Sequence, residues 1–213
     1  MKPYNFSEML GFFAGVSWDK GGLDEYWEVM DQVEDANREL LWDRDRTEVI
    51  VPRESRWCYH HESEAPYFGW RGNDYQADIL WERGTTPLSS SRELAARTFF
   101  ARKRKGNANS WVVRKEFHLE KAEEFTRFKA RLSVLGGARI FVNGKEAASY
   151  NLPAEVDRDT LATERVFGRP LRVVPLEIDA RYFRSGGNVI VVEAHRDRVD
   201  REVYFEFQLE GLR

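Results

Sequence analysis

The segment Ile140-Phe141-Val142-Asn143-Gly144-Lys145-Glu146-Ala147 constrains this 213-residue chain more than any other. Asn-Gly accepts the positive φ angles of a type I′ turn, whose twist matches that of the strands it joins, and apolar residues lead into it. A tight antiparallel hairpin is expected. An isolated hairpin is marginal in water, so the chain must supply further strands and a second layer to cover its apolar face.

Those strands are readable on both sides. Phe128, Ala130, Leu132 and Val134 alternate with Lys129, Arg131 and Ser133, the pattern of a half-buried antiparallel strand. Trp111 to Leu119 opens on a continuous apolar run and ends with Phe117 and Leu119 on one face. Thr47 to Val51, stopped by Pro52, and Arg56 to His60 are further candidates. Leu171 to Ile178 gives another, followed by a helical turn from Asp179 to Phe183. Gly186-Gly187-Asn188 turns into Val189 to Ala194, an apolar run suited to a central strand covered on both faces, and Val203 to Leu209 closes the fold. Gly136-Gly137 also reads as a turn.

Two helices are expected. Leu23 to Leu41 places apolar residues near the helical period, and Ser90 to Glu93 offers a capping box ahead of a short helix near 91–101. From Glu62 to Ser91 the chain is dense in turn-forming residues and reads as long, structured loops carrying Trp70 and Trp81. The expected fold class is all-β, an antiparallel β-sandwich over 55–213, with an N-terminal α-helical extension over 1–54 packed on it.

Composition narrows function. With 33 basic and 36 acidic residues the net charge is -3, without the basic excess of a nucleic-acid surface. The run Arg102-Lys103-Arg104-Lys105 reads as a solvated loop. No stretch reaches the apolar length of a membrane helix, and Met1 to Trp18 carries Glu8 and no small-residue cleavage site. A soluble, cytoplasmic protein is expected, or a secreted one if a leader is missing from the sequence.

Cys58 is the single cysteine, so no intrachain disulfide forms, and it reads as a small hydrophobe on a strand. Neighbouring strand residues point to opposite faces, so adjacency to His60 and His61 builds no Cys-His dyad. His60, His61, His118 and His195 lack the i, i+4 spacing of a helical metal site. Asp74 and Asp78, near Asn73, could help to hold a structural Ca²⁺, although no fixed loop spacing marks a cage. No P-loop or dinucleotide fingerprint occurs, so no other cofactor is expected.

Several motifs, in order, carry a family resemblance. Phe141-Val142-Asn143-Gly144-Lys145-Glu146 followed by Gly187-Asn188-Val189-Ile190-Val191-Val192-Glu193 resembles the paired signature of galactose-binding-like domains. Such modules are appended to glycosidases and bacterial metallophosphoesterases. Trp70 with Trp81-Glu82-Arg83-Gly84-Thr85-Thr86-Pro87-Leu88, then Val113 to Phe117, then Asn151 to Ala154 and Asp159 to Ala162, are similar to further stretches of the same group. Ser89 departs from the glycine expected after Pro-Leu, and residues 1–54 match no motif. The resemblance implies a jelly-roll of about eight strands in two sheets, with an accessory binding role and catalysis located in another domain.

Sugar binding needs flat aromatic faces for the apolar side of a ring, and polar side chains for its hydroxyls. Trp70 and Trp81, in a polar loop with Tyr67, Arg71, Asn73 and Asp74, supply both. The resemblance also gives these tryptophans a framework role, plugging loops onto the sandwich. Glu193, at the end of its apolar strand, reads as a packing or hydrogen-bonding acid. The leading expectation is a non-catalytic, carbohydrate-binding module. A protein-interaction or structural subunit of a larger assembly is a second reading, motivated by the N-terminal amphipathic helix. A small hydrolase or lyase using the sandwich groove is a third, for which no residue pattern names a nucleophile or base.

Overall fold

The computed structural model describes residues 46–61, 69–75, 77, 81–92, 94–100, 109–166, 172–199 and 202–213. Residues 48–213 form one compact unit. The helix expected over Leu23 to Leu41 and the basic run at 102–105 lie outside the described residues.

The strands are β1 (Thr47–Val51), β2 (Arg56–His61), β3 (Glu82–Thr85), β4 (Leu88–Ser89), β5 (Thr98–Phe99), β6 (Ser110–Leu119), β7 (Arg127–Val134), β8 (Gly136–Val142), β9 (Lys145–Tyr150), β10 (Val174–Asp179), β11 (Gly186–Arg196) and β12 (Tyr204–Leu212). One sheet runs β10-β7-β12-β4-β5, with β1 also paired to β12; the other runs β3-β2-β6-β11-β8-β9. All pairings with a recorded register are antiparallel except β4 with β5. Short 3₁₀ turns cover Ala122–Glu124 and Ala180–Tyr182. No helix among the described residues is long and apolar enough to cross a membrane.

The main core lies between the sheets and follows from alternation. Phe128, Ala130, Leu132 and Val134 of β7, with Phe205, Phe207 and Leu209 of β12, meet Trp57, Val113, Ile140, Val142, Ile190 and Val192 of the second sheet. Trp57 packs edge-on against Phe205 and Phe207, with centroids 5.2 and 5.4 Å away. Such edge-to-face pairs add about 0.5–1.5 kcal/mol beyond area burial. The central strand β11 is buried on both faces over Val189 to Ala194, as its unbroken apolar run requires.

The hairpin stands where the sequence placed it: Asn143 and Gly144 join β8 to β9 with φ of 52° and 84°, the type I′ combination. Other expectations are corrected. Among the described residues no helix forms near 91–101; Thr98–Phe99 is the parallel strand β5. The amides of Arg97 and Thr98 both donate to the Pro87 carbonyl, and Ser90 Oγ accepts from the Val203 amide, so tertiary partners take the groups a capping box would have used. The segment from Glu62 to Ser91 includes strands β3 and β4.

Gly136-Gly137 is not a turn but the start of β8. A Cβ at Gly136 would lie 2.0 Å from the His195 carbonyl oxygen, and one at Gly137 2.6 Å from that of Asn151, so both glycines serve close backbone approach. Ser133, expected to face solvent, is buried on β7.

Candidate functional site

The second sheet has an outer face as well as a core face, and it is not simply wet. Register places Arg83, Cys58, Arg114, Val191 and Phe141 in one cross-strand row, and His60, Val112, Glu193 and Arg139 in the next. Trp81, Val112, Phe141, Val189 and Val191 form a second apolar cluster, with Trp70, Tyr75, Ala77 and Cys58 packed against it. Residues 69–75, Ala77 and Trp81 therefore cover this face.

Arg71 fixes the cover electrostatically. Its guanidinium carbon lies 4.6 Å from the Trp70 ring centroid and 4.5 Å from that of Phe141. Its Nε donates to Glu193 Oε1 at 3.0 Å, and its Nη2 donates to the same oxygen. Glu193 is buried, and Arg139 Nη1 lies 3.7 Å from its other oxygen. A carboxylate withdrawn from water is thereby held between two guanidinium groups.

Arg114 fixes the cover from below. Only 1% exposed, it donates through Nη2 to the carbonyls of Gly72 and Tyr75, at 3.2 and 2.5 Å, and pairs through Nη1 with Glu116 at 3.0 Å. Its Nε is buried without a hydrogen-bond partner. Burial holds the guanidinium pKa below its ordinary value. Trp81 donates its indole N–H to the Tyr75 hydroxyl at 2.9 Å and packs against His60, with ring centroids 5.6 Å apart.

At the far end of β11, the His195 Nδ1 is 2.9 Å from the Thr160 carbonyl. A carbonyl only accepts, so Nδ1 carries the proton and Nε2 is left as a buried acceptor without a partner. Desolvation lowers the His195 pKa, against the opposing pull of the Thr160 carbonyl and Glu193.

A cleft of about 470 Å³ opens beside this cover, lined by Arg56, Trp57, Cys58, Ala77, Arg83, Arg114, Lys115 and Glu116. It arises from a fork in the sheet: β2 pairs with β6 only from Cys58 to His61, while β6 stays paired to β11 through Leu119. Lys115 bridges the fork by donating from Nζ to the Arg56 carbonyl at 2.9 Å. Burial lowers the Lys115 pKa.

The expected ligand residues thus fall into distinct environments. Trp70, Arg71 and Asn73 are half-buried on the covering segment, and Asp74 beside them is exposed. Trp81 is buried beneath them, whereas Tyr67 lies outside the described residues, as does Asp78 of the calcium expectation. Among the described residues no group of three or more His, Cys, Asp or Glu side chains stands where it would hold a metal. Sequence reading missed the cleft, because Arg83 and Arg114 meet Cys58 only through strand register. Alternation within β2, which puts Arg56, Cys58 and His60 on one face, was the one local signal.

No family model and no curated protein matches this sequence. Among solved structures, the chain is similar to β-glucuronidase from Ruminococcus gnavus. The apo enzyme aligns at 14% identity and a TM-score of 0.48, covering 78% of this chain and 29% of the enzyme. The complex of that enzyme with D-glucuronic acid aligns at 13% identity and a TM-score of 0.48 over the same shares. A further crystal structure of it gives 14% identity and a TM-score of 0.49, covering 78% of this chain and 28% of the enzyme. The chain thus spans under a third of the length of these glycosidases.

Proposed function

We propose that this chain is a non-catalytic carbohydrate-binding module whose saccharide lies on the ledge formed by residues 69–75. The observation that carries the reading is the construction around Trp70. A partly exposed indole is backed by the Arg71 guanidinium at 4.6 Å, itself tied to buried Glu193, with Asn73 and exposed Asp74 alongside. A ring held in this way presents a flat apolar face at little entropic cost, and the neighbouring exposed Asp74 carboxylate suits sugar hydroxyls. In this reading Trp81 holds the ledge and does not touch ligand. The resemblance to galactose-binding-like modules agrees with an accessory role.

Calorimetric titration of the full chain against a panel of mono- and oligosaccharides tests the reading. Binding of at least one saccharide is expected, weakened about tenfold, or ~1.4 kcal/mol, by Trp70→Ala. Thermal melting of that variant shows whether the ledge itself has come loose. Silence across the whole panel overturns the reading.

A further inference from the structure

We propose that the cleft at the β2–β3–β6 fork is an oxyanion subsite, so that the saccharides this module takes are acidic ones, carrying a uronate carboxylate or a sulfate ester. The inference rests on the carbohydrate reading above and adds the charge class of the ligand.

Charge is the first argument. Among the described residues four cations, Arg56, Arg83, Arg114 and Lys115, line the cleft against one carboxylate, Glu116. Glu116 is taken by Arg114. Among the described residues neither Arg56, Arg83 nor Lys115 has a carboxylate partner. This is unlike several other stretches of the surface, where cations sit against acids: Arg53 with Glu206, Arg97 with Glu54, Arg131 with Glu210, Arg139 with Glu146, and Arg213 with Glu48. A like-charged concave wall raises the local concentration of anions.

Burial is the second. Arg114, almost fully withdrawn from solvent, lines this cleft with an Nε–H that bonds to nothing. Leaving such a donor unsatisfied costs roughly 1–3 kcal/mol, more for a charged group, and an anion held in the adjoining cleft offsets that buried positive charge through space. Arg83 stands directly opposite Cys58 on β3, and its exposed guanidinium fork, with buried Arg114 opposite Cys58 on the other side adding charge, suits a planar carboxylate or a tetrahedral sulfate.

Continuity is the third. Arg114 donates to the Gly72 and Tyr75 carbonyls of the ledge, and Ala77 of the same covering segment lines the cleft. Ledge and cleft are therefore adjoining parts of one face. The cleft volume of about 470 Å³ falls inside the range, roughly 300–1,000 Å³, of small-molecule sites.

Cys58 gives an independent readout, because it is the only thiol in the chain, lines the cleft and is half-exposed. The test titrates the full chain with oligogalacturonate, sulfated chondroitin oligosaccharide, cello-oligosaccharide and sodium sulfate. Binding is followed by calorimetry and by the rate at which neutral iodoacetamide alkylates Cys58. Acidic oligosaccharides are expected to bind, to lose affinity as salt rises, and to slow alkylation at least about fivefold. The double variant Arg56→Gln with Arg83→Gln is expected to weaken them at least about tenfold with its melting temperature unchanged, both side chains being exposed and without an ion pair among the described residues.

Three results overturn the proposal. Acidic saccharides that bind the double variant as tightly as the parent, without protecting Cys58, remove the cleft and leave the carbohydrate reading intact. Neutral saccharides binding at least as well as acidic ones do the same. Protection of Cys58 by sulfate, with no saccharide bound, removes the carbohydrate reading and with it the assignment to glycans.

Discussion

Asn143 and Asn188, 45 residues apart, are joined side chain to side chain: Asn143 Nδ2 donates to Asn188 Oδ1 at 2.8 Å. Around that bond, Asn143 Nδ2 also donates to the Tyr182 carbonyl, and Asn143 Oδ1 accepts from the Val189 amide at 3.0 Å. Asn188 in turn donates to the carbonyls of Arg184 and Gly186. The hairpin tip and the entry to the central strand are thus one polar clasp at the edge of the core.

Asn143→Ala is expected to destabilise the fold by about 3 kcal/mol. It strands the Val189 amide, empties an acceptor site on Asn188 and puts an alanine at positive φ. Asn143→Gly relieves the backbone but not the lost bonds, and about 2 kcal/mol is expected. Urea unfolding separates the two; a glycine variant as stable as the parent would show that only the backbone matters.

Arg71→Ala leaves Glu193 buried with Arg139 as its nearest cation, at 3.7 Å. A cost of about 2 kcal/mol is expected, below that of a fully buried pair because the Arg71 side chain is 41% exposed. In a double-mutant cycle with Glu193→Gln the coupling should be about 1 kcal/mol, since the neutral amide no longer needs the guanidinium. Additive losses would mean that Arg71 acts through its packing on Trp70 and Phe141 alone.

Two glycines on paired strands should respond very differently to alanine. Gly136→Ala drives a methyl to 2.0 Å from the His195 carbonyl and should cost at least about 3 kcal/mol, or abolish soluble expression. At Gly187 an added Cβ meets nothing within 4 Å, and Gly187→Ala should stay within about 0.5 kcal/mol of the parent. Gly136 also holds a φ of 137°, so both strain and close approach oppose alanine there, and thermal melting of the two variants measures their joint cost against a glycine subject to neither.

Acidification should weaken the fold through His195. Its pKa in the native state is lowered by burial from the ordinary 6.5, while in the unfolded chain it returns there. Between the two values the unfolded chain binds more protons, so the contribution is complete above pH 6.5 and is lost as pH falls through the native pKa. Glu193, Arg139 and Asp157 are the charged groups acting on it. Urea midpoints measured from pH 7.5 down to 5 should fall in the parent and flatten over that window in His195→Asn, whose amide can still donate to Thr160.

Much of this molecule was legible in the chain because its signals are local. Alternation over Phe128 to Val134 fixes which side chains of β7 enter the core, and Asn143-Gly144 fixes a turn through φ angles that few residues tolerate. The apolar run Val189 to Ala194 determined a strand with no wet face. Period and backbone sterics need no knowledge of the rest of the fold.

Pairing decided the remainder. Nothing near Ser90 forbade a helix until Pro87 and Val203 claimed the backbone and hydroxyl groups, and nothing near Gly136 forbade a turn until β11 came within van der Waals range. The ion pair of Arg71 with Glu193 spans 122 residues, and the cationic wall around Cys58 exists only because β3 and β6 flank β2. Electrostatics and close packing act through space, so the charges that make the candidate site are adjacent in the fold and scattered in the sequence.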